Sequence, residues 1–155
     1  MWSYTLTANS SDLTAGNSLK VFKYSAKKGY TLVNAKSYKA AVDGSVSVSL
    51  KDKGNYFLKD TKTASKIEKK ILDSVKAAKT SVKVKKGKNT KVALAGSFNK
   101  ENAKSITFST TDKKTLKVSK SGTVKALKKG SAVVRAKVVL KNGKTKVVKV
   151  KITVK

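Results

Sequence analysis

The 155-residue chain contains no cysteine and no histidine. Their absence excludes disulfide bonds, thiolate nucleophiles, Ser–His catalytic pairs and every metal site with a histidine ligand. It does not identify the compartment, because secreted proteins larger than disulfide-stabilised miniproteins fold without bridges. The catalytic chemistry left to the chain is therefore narrow.

Acidic residues are scarce, with eight carboxylates at positions 12, 43, 52, 60, 68, 73, 101 and 112. A carboxylate pair is the common acid–base device that remains. Asp43 precedes a turn glycine, Glu68 fits a helix cap and Asp112 follows a strand, so each has a local structural explanation. Residues 81–155 contain only two of the eight, too few for a calcium site. We predict that the chain is not an enzyme and has no catalytic residue, metal or cofactor.

Long apolar runs are also missing, since none approaches the roughly 20 residues that span a bilayer. The first four residues, Met1-Trp2-Ser3-Tyr4, lack the basic and apolar regions of a signal peptide. We therefore expect no transmembrane segment. We also expect the chain to be a monomer. If the protein is secreted, we expect this chain to be a fragment of a larger one.

Positive charge dominates what is present. The chain has 37 basic and eight acidic residues, a formal net charge of +29, which attracts polyanions and opposes compaction. Every basic residue except Arg135 is lysine, so the guanidinium groups that read phosphate or guanine with two hydrogen bonds are almost absent. We expect binding to anionic polymers and no sequence-specific recognition of nucleic acid.

Residues 1–62 contain short apolar runs separated by turn residues, a pattern typical of β-strands. Asp43-Gly44 supplies the positive φ angles of a tight hairpin between two of the runs. We predict a small β-meander or sandwich with strands at residues 4–6, 19–24, 30–33, 37–40, 45–50 and 55–58.

Residues 63–80 show a helical pattern instead. Apolar side chains recur there at helical spacing among lysines, at Ile67, Ile71, Val75 and Ala78. Ser65 fits the N-cap and Glu68, three residues later, completes a capping box. We predict one amphipathic helix over residues 65–79 that connects two domains, with a membrane-surface helix as the alternative.

The strand pattern returns in residues 81–155, where Val82 and Val84 alternate with lysines. Turn residues divide this part into seven predicted strands, at residues 82–84, 91–94, 105–109, 116–119, 123–127, 132–140 and 145–154. Seven short strands in about 75 residues fit an immunoglobulin-like sandwich better than a closed barrel. The predicted fold class is all-β: an immunoglobulin-like β-sandwich preceded by a small β-domain and one connecting α-helix.

Three segments of this part carry a family resemblance: ITFSTTD at 106–112, KVSKSGTVKA at 117–126 and KGSAVVRA at 129–136. Over residues 80–155 the chain resembles the bacterial immunoglobulin-like domain group 2 family, which has Trp in place of Phe108 and a small residue in place of Leu116. The resemblance implies a non-catalytic structural or adhesion module of the cell surface or extracellular space. Gly122 permits a turn and Gly130 permits entry into the next strand, so both are folding residues.

The last hairpin contains a conflict between its turn and its alternation. Asn142-Gly143 is a strong signal for a two-residue turn, which sets Val138 opposite Val147. Alternation buries Val138 on one strand and Val148 on the other, and in that register the two sets face opposite sides of the sheet. One extra residue removes the conflict. We predict either a β-bulge near residues 147–148 or 138–139, or a longer loop.

The charge is uneven along the chain, at +6 for residues 1–62, +3 for residues 63–80 and +20 for residues 81–155. In the last strands lysine alternates with valine or isoleucine, which places the amines on an outer face. The simpler interpretation is a solvated face that discourages edge-to-edge strand pairing. The sharper hypothesis is that an anionic cell-wall polymer or polysaccharide contacts Lys117, Lys125, Arg135, Lys137, Lys149 and Lys151. Nucleic acid bound without sequence specificity ranks third.

Aromatic residues in the first part of the chain raise another function class: Trp2, Tyr4, Tyr24, Tyr30, Tyr38 and Tyr56. Exposed rings stack on sugars, which is the basis of a carbohydrate-binding module. Alternation places several of these rings on strands, where packing in a core is the simpler explanation.

Overall fold

The computed structural model describes residues 2–7, 16–43, 45–50 and 52–155, with side chains from residue 16 onward. The chain divides into two compact units, residues 1–70 and 71–155. Strands dominate each unit, so the predicted all-β class is confirmed.

The described residues of the first unit form six strands and the start of a helix: β1 (Trp2–Thr7), β2 (Ser18–Ser25), β3 (Gly29–Leu32), β4 (Tyr38–Lys39), β5 (Ser45–Leu50), β6 (Asn55–Asp60) and α1 (Thr61–Asp73). β1 pairs with β5, and β2 pairs with β3, β4 and β6, all antiparallel. All six predicted strands are present. In the predicted Asp43-Gly44 turn, Asp43 Oδ1 accepts a hydrogen bond from Ser45 N–H at 2.9 Å, and Gly44 lies outside the described residues.

Alternation explains the core of the first unit. In β5 the two valines and Leu50 are buried, whereas Ser47 and Ser49 between them are exposed. The buried side chains pack with Leu19 and Val21 of β2. Because β5 and β2 belong to different sheets, this cluster holds two sheets together.

Helix α1 begins and ends earlier than predicted. Its N-terminus is capped by Asp60, whose Oδ1 accepts hydrogen bonds from the backbone N–H groups of Lys62 and Thr63, both at 2.9 Å. Hydrogen bonds from Thr63, first through its side chain and then through its backbone, lower the pKa of Asp60. The first orphan N–H groups of the helix are thereby satisfied.

The predicted capping box of Ser65 and Glu68 is wrong, because both residues lie inside the helix. Ser65 Oγ donates to Thr61 O at 2.8 Å. Glu68 is 2% exposed, and its Oε1 accepts a hydrogen bond from Lys20 Nζ at 2.6 Å. The carboxylate that resembled a cap in the sequence forms an ion pair between α1 and β2.

The helix ends at Asp73 because the chain then pairs with a distant segment. Ala77 forms an antiparallel bridge with Leu94, and Ala78 N–H donates to Ala93 O at 2.9 Å. Val75 and Ala78, the apolar residues that extended the helical pattern in the sequence, lie in the chain after the helix. The predicted helix is therefore too long.

Seven strands make up the second unit: β7 (Ser81–Val84), β8 (Asn89–Lys91), β9 (Ala103–Thr110), β10 (Leu116–Val118), β11 (Thr123–Ala126), β12 (Gly130–Leu140) and β13 (Thr145–Val154). The four-stranded sheet has the order β7-β13-β12-β9, with β7 parallel to β13, and the three-stranded sheet has the order β10-β11-β8. The number of strands agrees with the prediction. The predicted strand at residues 91–94 is wrong beyond Lys91, where β8 ends.

One hydrophobic core joins these two sheets. It contains Leu116 and Val124 from the three-stranded sheet and Val134, Val150 and Ile152 from the four-stranded sheet, each at most 1% exposed. Burial of each such side chain contributes about 1.5–3 kcal/mol. The predicted immunoglobulin-like sandwich is confirmed, and its two outer faces lie on opposite sides of this core.

The hairpin between β12 and β13 has its extra residue in the loop. The two strands pair without interruption. Leu140 N–H donates to Lys144 O at 2.8 Å, and Gly143 N–H, at a residue with a φ of +85°, donates to Leu140 O at 2.9 Å. Three residues therefore form the loop. The longer-loop prediction is confirmed, and the bulge prediction is wrong for this pairing; β12 shifts register only against β9, next to Leu140.

Gly122 closes the loop between β10 and β11 with a φ of +84°. A Cβ at this position would lie 2.5 Å from Val92 O and 3.0 Å from the ring of Phe108. Both the backbone conformation and the close approach require glycine here, which supports its interpretation as a folding residue.

Candidate polyanion-binding faces

Four of the six predicted cations lie on the outer face of the four-stranded sheet. Arg135 and Lys137 on β12 and Lys149 and Lys151 on β13 are exposed. The residues that alternate with them on β12 and most of those on β13 are buried in the core. Strand periodicity therefore fixes these four side chains on the surface.

The strand register brings the four cations together. Arg135 lies directly opposite Lys149, while Lys137 lies opposite Val147 and Lys151 lies opposite Val133. Like charges that face each other across a strand pair destabilise a sheet, at a cost of about 0.2–1 kcal/mol. The pair of Arg135 and Lys149 is therefore not explained by folding.

Lys83, which the sequence analysis did not select, extends this group. β7 runs parallel to β13, and Lys83 lies beside Thr153 on the same outer face. With it, the cations follow a diagonal across three strands, about 20 Å along the strands and about 10 Å across them. We name this set the diagonal row, in the order Lys137, Arg135, Lys149, Lys151 and Lys83. The alternation of Val82, Lys83 and Val84 in the sequence indicates that Lys83 lies on an outer face. Its position beside Thr153 depends on the parallel pairing of β7 with β13.

Lys117 and Lys125 lie on the other side of the sandwich. They face each other across β10 and β11, and Lys125 has Asn89 on its other side. Lys91 of β8 is exposed and lies opposite Thr123. The six residues predicted from the sequence therefore belong to two opposite faces and not to one site.

Few carboxylates are present to neutralise these faces. Residues 71–155, all of which the structure describes, contain Asp73 in α1, Glu101 in a short 3₁₀-helix and Asp112 in a loop. None belongs to a strand. Hydrogen bonds from Thr115 and Lys114 and the charge of Lys114 lower the pKa of Asp112, with the Thr115 side chain as the largest cause. The outer faces are strongly positive near neutral pH.

The aromatic residues of the first unit form a cluster with edge-to-face geometry. The rings of Phe22, Tyr24, Tyr30 and Phe57 have centroids 5.0–6.1 Å apart and interplanar angles of 56–88°. Tyr24 is 39% and Phe57 40% exposed, and Lys59 Nζ lies 5.5 Å from the Tyr30 centroid. Such angles are those of rings that pack on each other, and they do not form a flat surface for a sugar.

The other predicted aromatic residues divide into two groups. Tyr38 and Tyr56 are partly buried against the core of the first unit. The side chains of Trp2 and Tyr4 lie outside the described residues. Packing therefore accounts for the described tyrosines better than stacking on a ligand does.

Clefts and metal-binding groups offer little further chemistry. A cleft of 460 Å³ lined by residues 50 and 52–57 contains Asp52, which pairs with Lys23 and accepts a hydrogen bond from Tyr56 Oη at 3.1 Å. Within the described ranges, no group of three His, Cys, Asp or Glu side chains is placed to hold a metal ion. No helix in those ranges has the length and apolar character needed to cross a membrane.

No protein-family model and no curated protein sequence matches the chain. Among solved structures, it is similar to domains 4 and 5 of the S-layer protein SbsC, at 19% identity over 97% of this chain and 78% of that chain, with a TM-score of 0.40. A longer SbsC fragment matches at 20% identity over 94% of this chain and 21% of that chain, with a TM-score of 0.45. A C-terminal fragment of intimin, solved with the intimin-binding domain of the translocated intimin receptor, matches at 10% identity over 97% and 56%, with a TM-score of 0.37. Because these TM-scores are below 0.5, the assignment of the fold depends on the strand pairing and the core of the chain itself.

Proposed function

We propose that the chain is a non-catalytic structural and adhesion module of the cell surface or extracellular space, which contacts anionic polymers through a lysine-rich surface of its immunoglobulin-like unit. The observation that carries the proposal is the placement of like charges directly opposite each other, Arg135 with Lys149 and Lys117 with Lys125. A bound polyanion removes the repulsion within each pair, because it supplies the countercharge that the chain lacks.

Protection of sheet edges does not explain the larger group of cations. Lysine discourages edge-to-edge pairing when it lies on an edge strand. β12 and β13 are the two inner strands of their sheet, and they carry four of the six predicted contact residues. Charges on inner strands act on what approaches the face of the sheet.

The chemistry of the cations favours a polymer over a small ligand. Lysine acts as a point charge on a flexible stem, and it lacks the planar fork with which arginine reads a single phosphate or carboxylate. Many weak contacts along a chain add through multivalency, whereas one such contact is weak. The partner that fits is an anionic cell-wall polymer or an acidic polysaccharide.

Binding to isolated bacterial cell walls tests this function. Walls with their anionic polymers intact and walls from which these polymers have been extracted are compared across a salt series, with duplex DNA as a polyanion control. We expect the chain to bind intact walls near physiological salt and to lose most of this binding on extraction. Equal binding to both kinds of wall, or binding to DNA that persists to higher salt than binding to walls, contradicts the proposal.

A further inference from the structure

We propose that an extended linear polyanion lies across the outer face of the four-stranded sheet along the diagonal row, and that the opposite face of the sandwich is not the binding face. This inference rests on the proposed function and assigns it to one side of the second unit. The diagonal row contains Lys137, Arg135, Lys149, Lys151 and Lys83.

The spacing of the diagonal row suits a chain of charges and not a compact anion. Side chains two residues apart on one strand and on one face are about 7 Å apart, and residues opposite each other on neighbouring strands are about 5 Å apart. Lys137 and Arg135 are related in the first way, and Arg135 and Lys149 in the second. The step from Lys151 to Lys83 is diagonal and about 8 Å long, so a path through all five cations is about 27 Å long, with a positive charge at each step.

Hydroxyl groups border one part of this path. On β9, the edge strand beside β12, Thr107 lies opposite Lys137 and Ser109 lies opposite Arg135. Both are exposed on the same outer face. Hydroxyl groups donate hydrogen bonds to phosphate or carboxylate oxygens without adding charge, so they assist a polyanion that passes beside them.

The opposite face offers a shorter path. It carries Lys117, Lys125 and Lys91, and the neighbour of Lys125 on β8 is the uncharged Asn89. The strands of that face present three cations to a polymer, whereas the diagonal row presents five. Since affinity for a polyanion rises with the number of charges that release counterions, the diagonal row is the stronger site.

The composition of the diagonal row defines the ligand class. Four of its five members are lysines, which donate hydrogen bonds to phosphate and carboxylate oxygens alike. The shared feature is therefore a flexible, linear backbone with regularly repeated negative charges. Duplex DNA presents its charges on a stiff cylinder, with both strands following a helix, and contacts the diagonal row over fewer of its cations.

A matched pair of variants of the full chain tests the inference. Arg135→Gln/Lys149→Gln removes an opposed cation pair from the diagonal row, and Lys117→Gln/Lys125→Gln removes an opposed pair from the other face. The probes are poly(glycerol phosphate), a linear polyphosphodiester, and polygalacturonate, a linear polycarboxylate, with duplex DNA as comparison. Affinity is measured by titration calorimetry at several salt concentrations, and folding of each variant is checked by thermal melting.

We expect the first variant to bind the linear probes about tenfold more weakly near physiological salt and to reduce the slope of log affinity against log salt by about 1.4. The second variant is expected to change affinity by less than about twofold. Lys83→Gln, at the far end of the diagonal row, is expected to reduce the slope by about 0.7. Preference for one linear probe over the other identifies phosphate or carboxylate as the recognised group.

Two results overturn the inference in different ways. Equal losses in the two double variants, or an unchanged slope in Lys83→Gln, show that the polymer is not held on the diagonal row, and leave the proposed function intact. If the unaltered chain binds neither linear probe even at low salt, the proposed function itself fails. Tighter binding of duplex DNA than of either linear probe overturns the assignment to a flexible linear polymer.

Discussion

The two units of the chain use the same strand alternation but treat charge differently. The first unit has 13 basic and five acidic residues, and two of its lysines pair with carboxylates, Lys20 with Glu68 and Lys23 with Asp52. The second unit has 24 basic and three acidic residues, and it places cations opposite cations on its outer faces. In the first unit ion pairs help to hold the fold, whereas in the second unit the opposed cations lie outside a fold held by its apolar core.

This difference indicates which unit attracts a polyanion. A lysine that is paired with a carboxylate is already neutralised and adds little attraction for a polyanion. A lysine opposite another cation raises the potential of the face that it occupies. The same residue type therefore has a structural role in one unit and a candidate binding role in the other.

Removal of one lysine from each unit tests this difference with the largest expected effect. Lys20→Gln takes the charged partner from Glu68, which is 2% exposed, and we expect a loss of about 2 kcal/mol in the free energy of unfolding. Lys149→Gln relieves repulsion with Arg135 and is expected to change stability by less than about 0.5 kcal/mol, or to raise it. Urea denaturation of the two variants measures both effects. Equal destabilisation by the two substitutions contradicts the distinction between the units.

The carboxylates of the first unit offer a second comparison, because one of them caps α1. Asp60→Ala removes the acceptor for the N–H groups of Lys62 and Thr63, and we expect the melting temperature to fall by a few degrees. Ser65→Ala, at the position that resembles a cap in the sequence, is expected to leave it nearly unchanged because Ser65 lies inside the helix. A larger fall in melting temperature for Ser65→Ala than for Asp60→Ala contradicts the assignment of Asp60 as the helix cap.

The two units are also expected to differ in their stability at acid pH, by a smaller effect. Hydrogen bonds lower the pKa of Asp43, chiefly from the Ser45 side chain, and of Asp60, chiefly from Thr63, below their ordinary value of 3.8; in the second unit Asp112 is lowered in the same way by Thr115. A carboxyl with a lowered folded pKa stabilises the fold above 3.8, and this contribution is lost as the pH falls through the folded pKa.

The first unit holds two of these three carboxyls, Asp43 and Asp60. We therefore expect its amide NMR signals to lose dispersion at a higher pH than those of the second unit. The measurement is a series of amide spectra between pH 6 and pH 2. Loss of both units at the same pH, or of the second unit first, contradicts this expectation.

Local pattern predicted most of the fold. Strand alternation identified every strand that the structure describes in the first unit and six of the seven strands of the second in roughly their observed places. The predicted bounds of the helix were wrong at both ends, for physical reasons. Asp60 caps as well as Ser65 would, and the segment after Asp73 is held by a bridge to Leu94, which no local pattern reveals.

The candidate site was less accessible to sequence reasoning than the fold. Alternation correctly placed Arg135 and Lys149 on an outer face, but only the register of β12 and β13 sets them opposite each other. Lys83 joins the diagonal row because β7 pairs in parallel with β13, and such long-range pairing is not written in the local pattern. Likewise, the division of the six residues into two faces follows from the order of strands in two separate sheets.

Mapping of the bound polymer by amide NMR tests the central claim most directly. The full chain, labelled with ¹⁵N, is titrated with poly(glycerol phosphate) near physiological salt, and the shift change of each amide is recorded. We predict the largest changes at β12, β13 and β7 around the diagonal row, with small changes on the three-stranded sheet and in the first unit. Changes of similar size on all faces, or the largest changes in the aromatic cluster of the first unit, contradict the account.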